Sequence, residues 1–375
     1  MDFSFSEEQE AVRELAERIF GDLSTHERLK DLEAVPGGDR FDRRLWGELA
    51  TAGLLGIGLP EDVGGAGLGF LETALVLEAA GRTAAAVPAV ETLAAAAPAV
   101  AAFGDPALRR RWLPGVVSGE LVLSTALVEA GGRPEDTSVV AERDGDAWRL
   151  TGTKGFVPSG TVAHAVVVPA RLPPDGLGVF VVDTSAPGVG RERQDANTGR
   201  PMAVLSLSDA RVGPEAALGG AAGGPAVLAW LVQRTTAAMA MVEAGSLAAA
   251  VSLVAEYTRT REQFGKAIAT FQAVGQRAAD AYVDAEAVRL TAWQAAWRIA
   301  EGLPADKEVA VAKFWAADGG QRVVHAAVHL HGGVGVDRDY PLHRHFLLAK
   351  HYELLLGGAT EQLLGLGAAL AAEPV

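Results

Sequence analysis

Glu256-Tyr-Thr-Arg-Thr-Arg-Glu-Gln-Phe-Gly-Lys-Ala-Ile-Ala-Thr-Phe-Gln272 separates two long alanine-rich segments of helical periodicity, and its glycine and charges mark a break between them. Three cations, Arg259, Arg261 and Lys266, stand beside two rings, Phe264 and Phe271. Arginine offers planar, bidentate donors for phosphate, and an aromatic ring can lie against a heterocycle, so these residue types point to an anionic, partly aromatic ligand. A solvated turn between two helices is the plainer alternative, and spacing alone leaves both open.

Outward from this stretch the chain changes texture twice. Ala226 to Ala300, and again Ala305 to the C-terminus, carry apolar residues at helical spacing, and no strand is expected between Ala226 and Ala300. Upstream, six short β-branched runs read as strands: Leu121 to Val128, Ser138 to Arg143, Trp148 to Thr151, His164 to Pro169, Val179 to Val182, and Val204 to Leu207. So many short strands imply a small barrel or sandwich. Toward the N-terminus, Ser6 caps an amphipathic helix reaching about Leu29, while Phe41 to Ala52 and Leu71 to Gly81 read as two more. The expected class is α+β: an N-terminal helical domain over 1–120, a middle β-barrel or sandwich over 121–224, and a C-terminal four-helix bundle over 225–375.

The 375 residues are 49% apolar, enough for a sizeable core. A formal charge of −14 argues against nucleic acid or an anionic membrane as the main partner, because both need a basic face. Any anion site must therefore be local. With no cysteine, disulfides, thiolate metal sites and a cysteine nucleophile are excluded. Asp2 to Glu10 lacks the basic region and apolar core of a signal peptide, so a cytoplasmic location is expected. Ala84 to Phe103 is the most membrane-like window, but Pro88, Glu91 and Pro98 interrupt it, and it reads as a buried helix pair.

Arg261-Glu-Gln-Phe-Gly265, followed by Phe271-Gln272, resembles the RxxFG…FQ segment of acyl-CoA dehydrogenases, flavoproteins that desaturate acyl thioesters. The helix–strand–helix order extends the resemblance over essentially the whole chain. It implies FAD as cofactor, an acyl-CoA substrate, an electron-transfer flavoprotein or similar acceptor, and a homo- or hetero-tetramer, perhaps with a paralogous subunit. In that family the arginine and phenylalanine reach the FAD of a neighbouring protomer, so Arg261 and Phe264 would hold flavin diphosphate and ring. Leu59-Pro-Glu-Asp-Val-Gly-Gly-Ala-Gly-Leu68 resembles the loop at the mouth of the acyl site.

Two β-domain segments match less well. Leu127-Val-Glu-Ala-Gly-Gly132 stands in the place of the LTEPGAGS flavin loop, and Gly152-Thr-Lys-Gly-Phe-Val-Pro-Ser-Gly160 in that of the NGxKxxITNG strand. Pro134 and Pro158 replace a serine and a threonine there, removing two side-chain hydrogen bonds to the flavin. Backbone groups of Leu127, Val128, Phe156 and Val157 remain to serve the isoalloxazine edge, with Phe156 either stacked on the ring or buried in the β-domain core. His329-Leu-His-Gly-Gly-Val-Gly335 is similar to the family's Q-x-x-GGxG segment, in which Gly332 and Gly333 would let backbone approach a phosphate and His329 would make a polar contact. His325 and His329 have the spacing of two metal ligands, but no glutamate lies between them and no third ligand is near, so no metal is expected.

Desaturation needs a hydride acceptor, hydrogen bonds to the thioester carbonyl, and a carboxylate to take the Cα proton. The family's usual glutamate, in a YEGT motif, falls on Leu356 when Ala349-Lys350 and Gly357 are aligned, and on Gly358 when Ala359-Thr360 is aligned. Gly358 and Thr360 would lie by the flavin. Some members carry the base on the long helix before RxxFG, here near Thr235. Glu243, about two turns on, and Glu353, about one turn from the usual site, are the remaining candidates. Three readings stay open: a base-deficient subunit of a hetero-oligomer, an active homotetramer with a displaced carboxylate or no strong base, and a non-enzymatic protein that kept the fold.

Overall fold

The computed structural model describes residues 4–129, 133–220 and 222–372. Ala130, Gly131 and Gly132 of the flavin-loop segment, and Ala221, lie outside the described residues. The helices are α1 (Glu7–Leu23), α2 (His26–Glu33), α3 (Arg43–Thr51), α4 (Phe70–Arg82), α5 (Ala97–Phe103) and α6 (Pro106–Val117). After the strands come α7 (Gly224–Thr260), α8 (Gln272–Ala300), α9 (Asp306–His331), α10 (Leu342–Leu354) and α11 (Ala359–Ala371). Contacts divide the chain into two compact units, one of Glu27–Thr73 and Ala86–Thr235, the other of Met1–His26, Ala74–Ala85 and Thr236–Val375.

The first unit holds the strands: β1 (Leu123–Thr125), β2 (Val140–Asp144), β3 (Ala147–Val157), β4 (Ala165–Leu172), β5 (Gly176–Asp183), β6 (Val189–Gln194) and β7 (Met202–Val212). They form one curled sheet in the order β1-β4-β2-β3-β7-β6. β1 and β2 meet β4 at its two ends, Leu123 opposite Ala165 and Val140 opposite Arg171, and β5 runs antiparallel along β4. Alternate residues of these strands fill the interior, where Trp148 meets Phe180 edge-on at 5.4 Å. Register shifts on either side of Lys154, helped by Gly152 at φ +143°, bend β3 where it carries Phe156. The sequence reading missed β6 because Val-Gly-Arg-Glu-Arg-Gln is a charged edge strand without an apolar alternation. In the same unit all of Ala89–Ala96 is buried in π-helical turns that continue into α5.

In the second unit Ser6 closes a capping box on α1: its hydroxyl accepts from Gln9 N–H at 3.2 Å, and Gln9 Oε1 accepts from Ser6 N–H at 3.0 Å. The expected single helix to Leu29 is broken at Ser24-Thr25, residues whose hydroxyls compete for backbone bonds. α4 and α7 touch through glycines, since a Cβ on Gly81 would stand 1.9 Å from the Val242 carbonyl oxygen, and one on Gly245 1.9 Å from that of Glu78. α7, rather than Ala84 to Phe103, contains the more membrane-like window, and 72% of that window is buried inside the protein. One expectation fails outright. A two-stranded ribbon, β8 (Glu262–Gln263) with β9 (Lys266–Ala267), lies between Ala226 and Ala300, because the turn between α7 and α8 is tight enough to pair its own arms.

Candidate functional site

The ribbon shapes the cation–aromatic stretch. Arg261 N–H donates to Tyr257 O at 2.8 Å and its carbonyl accepts from Ile268 N–H at 2.8 Å, closing the base of the hairpin. Phe264 and Gly265 both take positive φ, +53° and +74°, as a two-residue hairpin turn requires. For a phenylalanine that backbone is strained by about 1–3 kcal/mol. The turn presents the Phe264 ring to solvent, 92% exposed, with Phe271 edge-on to it at 6.1 Å. Lys266 lies over Phe271 at 4.5 Å.

Beside the hairpin, Arg261, Gln263, His329, Gly332, Gly333 and Asp337 line a groove of about 570 Å³. His331 stacks on Tyr257 at 4.5 Å; its Nδ1–H donates to Ala327 O at 2.8 Å and its Nε2 meets the Tyr340 hydroxyl at 3.2 Å. Burial holds the His331 pKa below the usual imidazole value, favouring the neutral ring these bonds describe. Gly332 has φ +61°, and a Cβ on Gly332 or Gly333 would meet nothing within 4 Å, so the backbone here is open to a ligand. An arginine, approachable backbone and an aromatic floor suit the diphosphate of a dinucleotide. His325 packs edge-on against Phe346, 5.2 Å away.

On the β-sheet unit, Phe156 is 43% exposed with φ +53°, so its ring is not core. Its N–H already donates to Gln194 Oε1 at 2.7 Å, and the Val157 carbonyl accepts from Gly160 N–H at 3.2 Å. Two backbone groups assigned to the isoalloxazine edge are therefore engaged within the chain. Leu127 is buried and Val128 half-buried. Lys154, wholly buried, is ion-paired with Glu129, and Ser124 Oγ donates to Pro158 O.

Family models cover this architecture from end to end: acyl-CoA dehydrogenase N-terminal domain over 6–120, middle domain over 129–209, and C-terminal domain over 223–370. The chain belongs to the acyl-CoA dehydrogenase family. It is 42% identical over 382 residues to acyl-CoA dehydrogenase FadE27 of Mycobacterium tuberculosis, covering 100% of both. Among solved structures it is similar to the ChsE4-ChsE5 complex of Mycobacterium tuberculosis, with TM-score 0.94 and 43% identity over 100% of each chain. It is also similar to Tcur3481-Tcur3483, a steroid ACAD, with TM-score 0.90 and 43% identity over 97% of this chain and 98% of that one.

For an acyl-CoA dehydrogenase, the residues around the base position are then the question. Leu356 sits in the turn between α10 and α11 at φ +56°, with its carbonyl accepting from Gln362 Nε2 at 2.9 Å. Glu353 is ion-paired with Lys350. Glu243 is 1% exposed, and among the described residues neither carboxylate oxygen has a hydrogen-bond partner; burial raises its pKa well above the usual carboxylate value. Thr235 bonds its own helix at Leu231 O, 2.6 Å away. Gly358 is buried at the start of α11, and Thr360 is exposed in its first turn.

One contributor escaped the sequence. Lys313 of α9, wholly buried, donates from Nζ to Tyr352 O at 2.6 Å and Glu353 O at 3.0 Å, tying down the end of α10 just before Leu356. Burial brings its pKa down to about 8, with Glu243 the main opposing charge. Gly320 leaves room for that carboxylate, since a Cβ there would lie 2.2 Å from Glu243 Oε1. The available signal was a lysine on the apolar stripe Val309, Ala312, Ala316, Gly320.

Proposed function

We propose that this chain is the base-deficient subunit of a hetero-oligomeric acyl-CoA dehydrogenase that forms the α,β-double bond of an acyl-CoA thioester, a steroid-derived one in the first instance. The observation that carries the reading is Leu356 at the base position, with Glu353 paired with Lys350 and Glu243 buried in the bundle. A Cα proton does not leave at a useful rate without a positioned carboxylate. Pairing with a second chain is supported by the similar ChsE4-ChsE5 complex, and the steroid class by the similar steroid ACAD Tcur3481-Tcur3483.

In this reading the chain's contribution to FAD is the half it gives away. Arg261 would neutralise the diphosphate, Gly332 and Gly333 would bring backbone to it, and the exposed Phe264 would lie against the ring of a flavin held mainly by the sister. The bound flavin would accept hydride from Cβ and pass electrons to an electron-transfer flavoprotein or similar acceptor. Within this chain the flavin-side positions are weaker, with Pro134 and Pro158 lacking hydroxyls and the Phe156 amide engaged by Gln194.

Anaerobic mixing with steroid and fatty acyl-CoAs tests this. The chain alone should show almost no flavin bleaching, and co-expression with a glutamate-bearing sister should restore it. Arg261→Ala in the pair should weaken FAD binding by about 1.5–3 kcal/mol, the loss of a charge-assisted partner. Rapid bleaching by the chain alone would show that it carries its own base.

A further inference from the structure

Arg234, on α7, has no ion pair among the described residues. Its guanidinium lies over the Trp230 ring at 3.9 Å, with Phe70 at 5.8 Å on another side. Trp230 is itself braced edge-on by Phe103 at 5.3 Å, so the shelf is built from three elements, α4, α5 and α7. Among the described residues no carboxylate or carbonyl accepts a hydrogen bond from the Arg234 guanidinium, and burial alone lowers its pKa, to about 10.

Burial sets Arg234 apart: among the described residues Arg43 over Phe41 and Arg143 over Trp148 also lack an ion pair, but both are exposed. Asp and Glu outnumber Lys and Arg 47 to 33, and arginines elsewhere have found them: Arg28 with Asp42, Arg109 with Asp62, Arg193 with Asp39, Arg322 with Asp284. A stacked guanidinium keeps its N–H donors in the plane of the group, pointing away from the ring face it covers. Half-buried and without an internal acceptor, those donors are set for an external oxyanion, and partial desolvation strengthens any such bond.

We propose that Arg234, seated on Trp230 and Phe70, is a phosphate-binding residue, and that the phosphate belongs to the coenzyme A portion of the substrate. The choice of coenzyme A rests on the function proposed above, whose other phosphate-bearing ligand, FAD, already has a candidate partner in Arg261. The shelf sets one guanidinium edge toward the phosphoryl oxygens.

Calorimetric titration of the pair assembled with the glutamate-bearing sister, using coenzyme A, dephospho-coenzyme A, FAD and inorganic phosphate and followed in parallel by tryptophan fluorescence, tests the assignment. Arg234→Gln should lower coenzyme A affinity about tenfold or more while leaving FAD affinity unchanged, and Arg234→Lys should recover part of the loss. If the wild-type advantage of coenzyme A over dephospho-coenzyme A disappears in the variant, the 3′-phosphate is the group read. An equal loss on both would point to the diphosphate.

Unchanged coenzyme A affinity in Arg234→Gln would overturn the proposal and leave the dehydrogenase reading standing, as would a loss confined to FAD. A variant that changed particle mass on light scattering at unchanged affinity would also overturn it, assigning the anion to a neighbouring chain's carboxylate. Absence of coenzyme A binding to wild type would overturn it too, and only absence of acyl-CoA turnover by the assembled pair would bring down the dehydrogenase reading.

Discussion

His345 shows at the scale of one side chain how burial turns into pH dependence. It is 5% exposed in the bundle, bonded through Nδ1 to Ser246 Oγ at 2.9 Å, and burial, with Arg344 nearby, holds its pKa down to about 4 against an ordinary 6.5. A depressed imidazole pKa means that the unfolded chain binds the proton more readily. The stabilisation is therefore fully present above pH 6.5 and is lost as the pH falls toward 4. A gap of about 2.5 pH units at about 1.4 kcal/mol each comes to about 3.5 kcal/mol. Urea unfolding at pH 7 and pH 5 should show part of that loss in wild type and a flatter dependence in His345→Gln; equal slopes would refute the assignment. Residues of this kind were the least legible in the sequence. Arg261 and Phe264 stand out because their type and spacing suit a flavin dinucleotide, whereas nothing in the sequence shows that the Glu243 carboxylate is buried against Gly320. Lys313 and Arg234 were invisible as sites because their roles come from what surrounds them in space.

Elements were more legible than residues, and they were misread where tertiary contact overrides local pattern. Helical periodicity located α3, α4 and the long C-terminal helices, because burying one face of a helix writes itself into the sequence. β6 carries no such trace, and the β8–β9 ribbon is stabilised by turn geometry instead of burial. The contact between α4 and α7 was equally silent, since a helix-interior glycine can mean weakness or close approach. Here it means approach: a Cβ on Gly245 would meet backbone, the Glu78 carbonyl oxygen, which cannot swing aside as a side chain can. Gly245→Ala should therefore destabilise by about 1–3 kcal/mol through forced separation of the helices. Gly275, exposed in the first turn of α8 with nothing within 4 Å of its missing Cβ, is the internal control, where alanine should stabilise by about 0.5–1 kcal/mol. Denaturant midpoints of the two variants decide the matter, and a neutral Gly245→Ala would show that the helices can part at little cost.

At the scale of the whole molecule the surface is the informative part. α11 has no buried residue, and Leu363, Leu364 and Leu370 stand at least half exposed along it, while α8 exposes Tyr282, Val283 and Leu290. Apolar surface repeated along two helices of one unit is more than a soluble monomer commonly leaves uncovered. Charge opposes the obvious remedy, since copies carrying −14 each repel, so association has to be driven by apolar burial. Two consequences can be measured. Added salt should strengthen assembly by screening the repulsion, the reverse of what an interface built on ion pairs would do. Leu364→Glu should weaken it at least tenfold, because it forfeits about 1.5–3 kcal/mol of leucine burial and places a carboxylate where desolvation is costly. Light scattering over a dilution series, in low and high salt, would show the variant falling to smaller particles at concentrations where wild type stays assembled. Identical masses at every dilution would mean that α11 faces water in the assembled protein and that the subunits meet elsewhere.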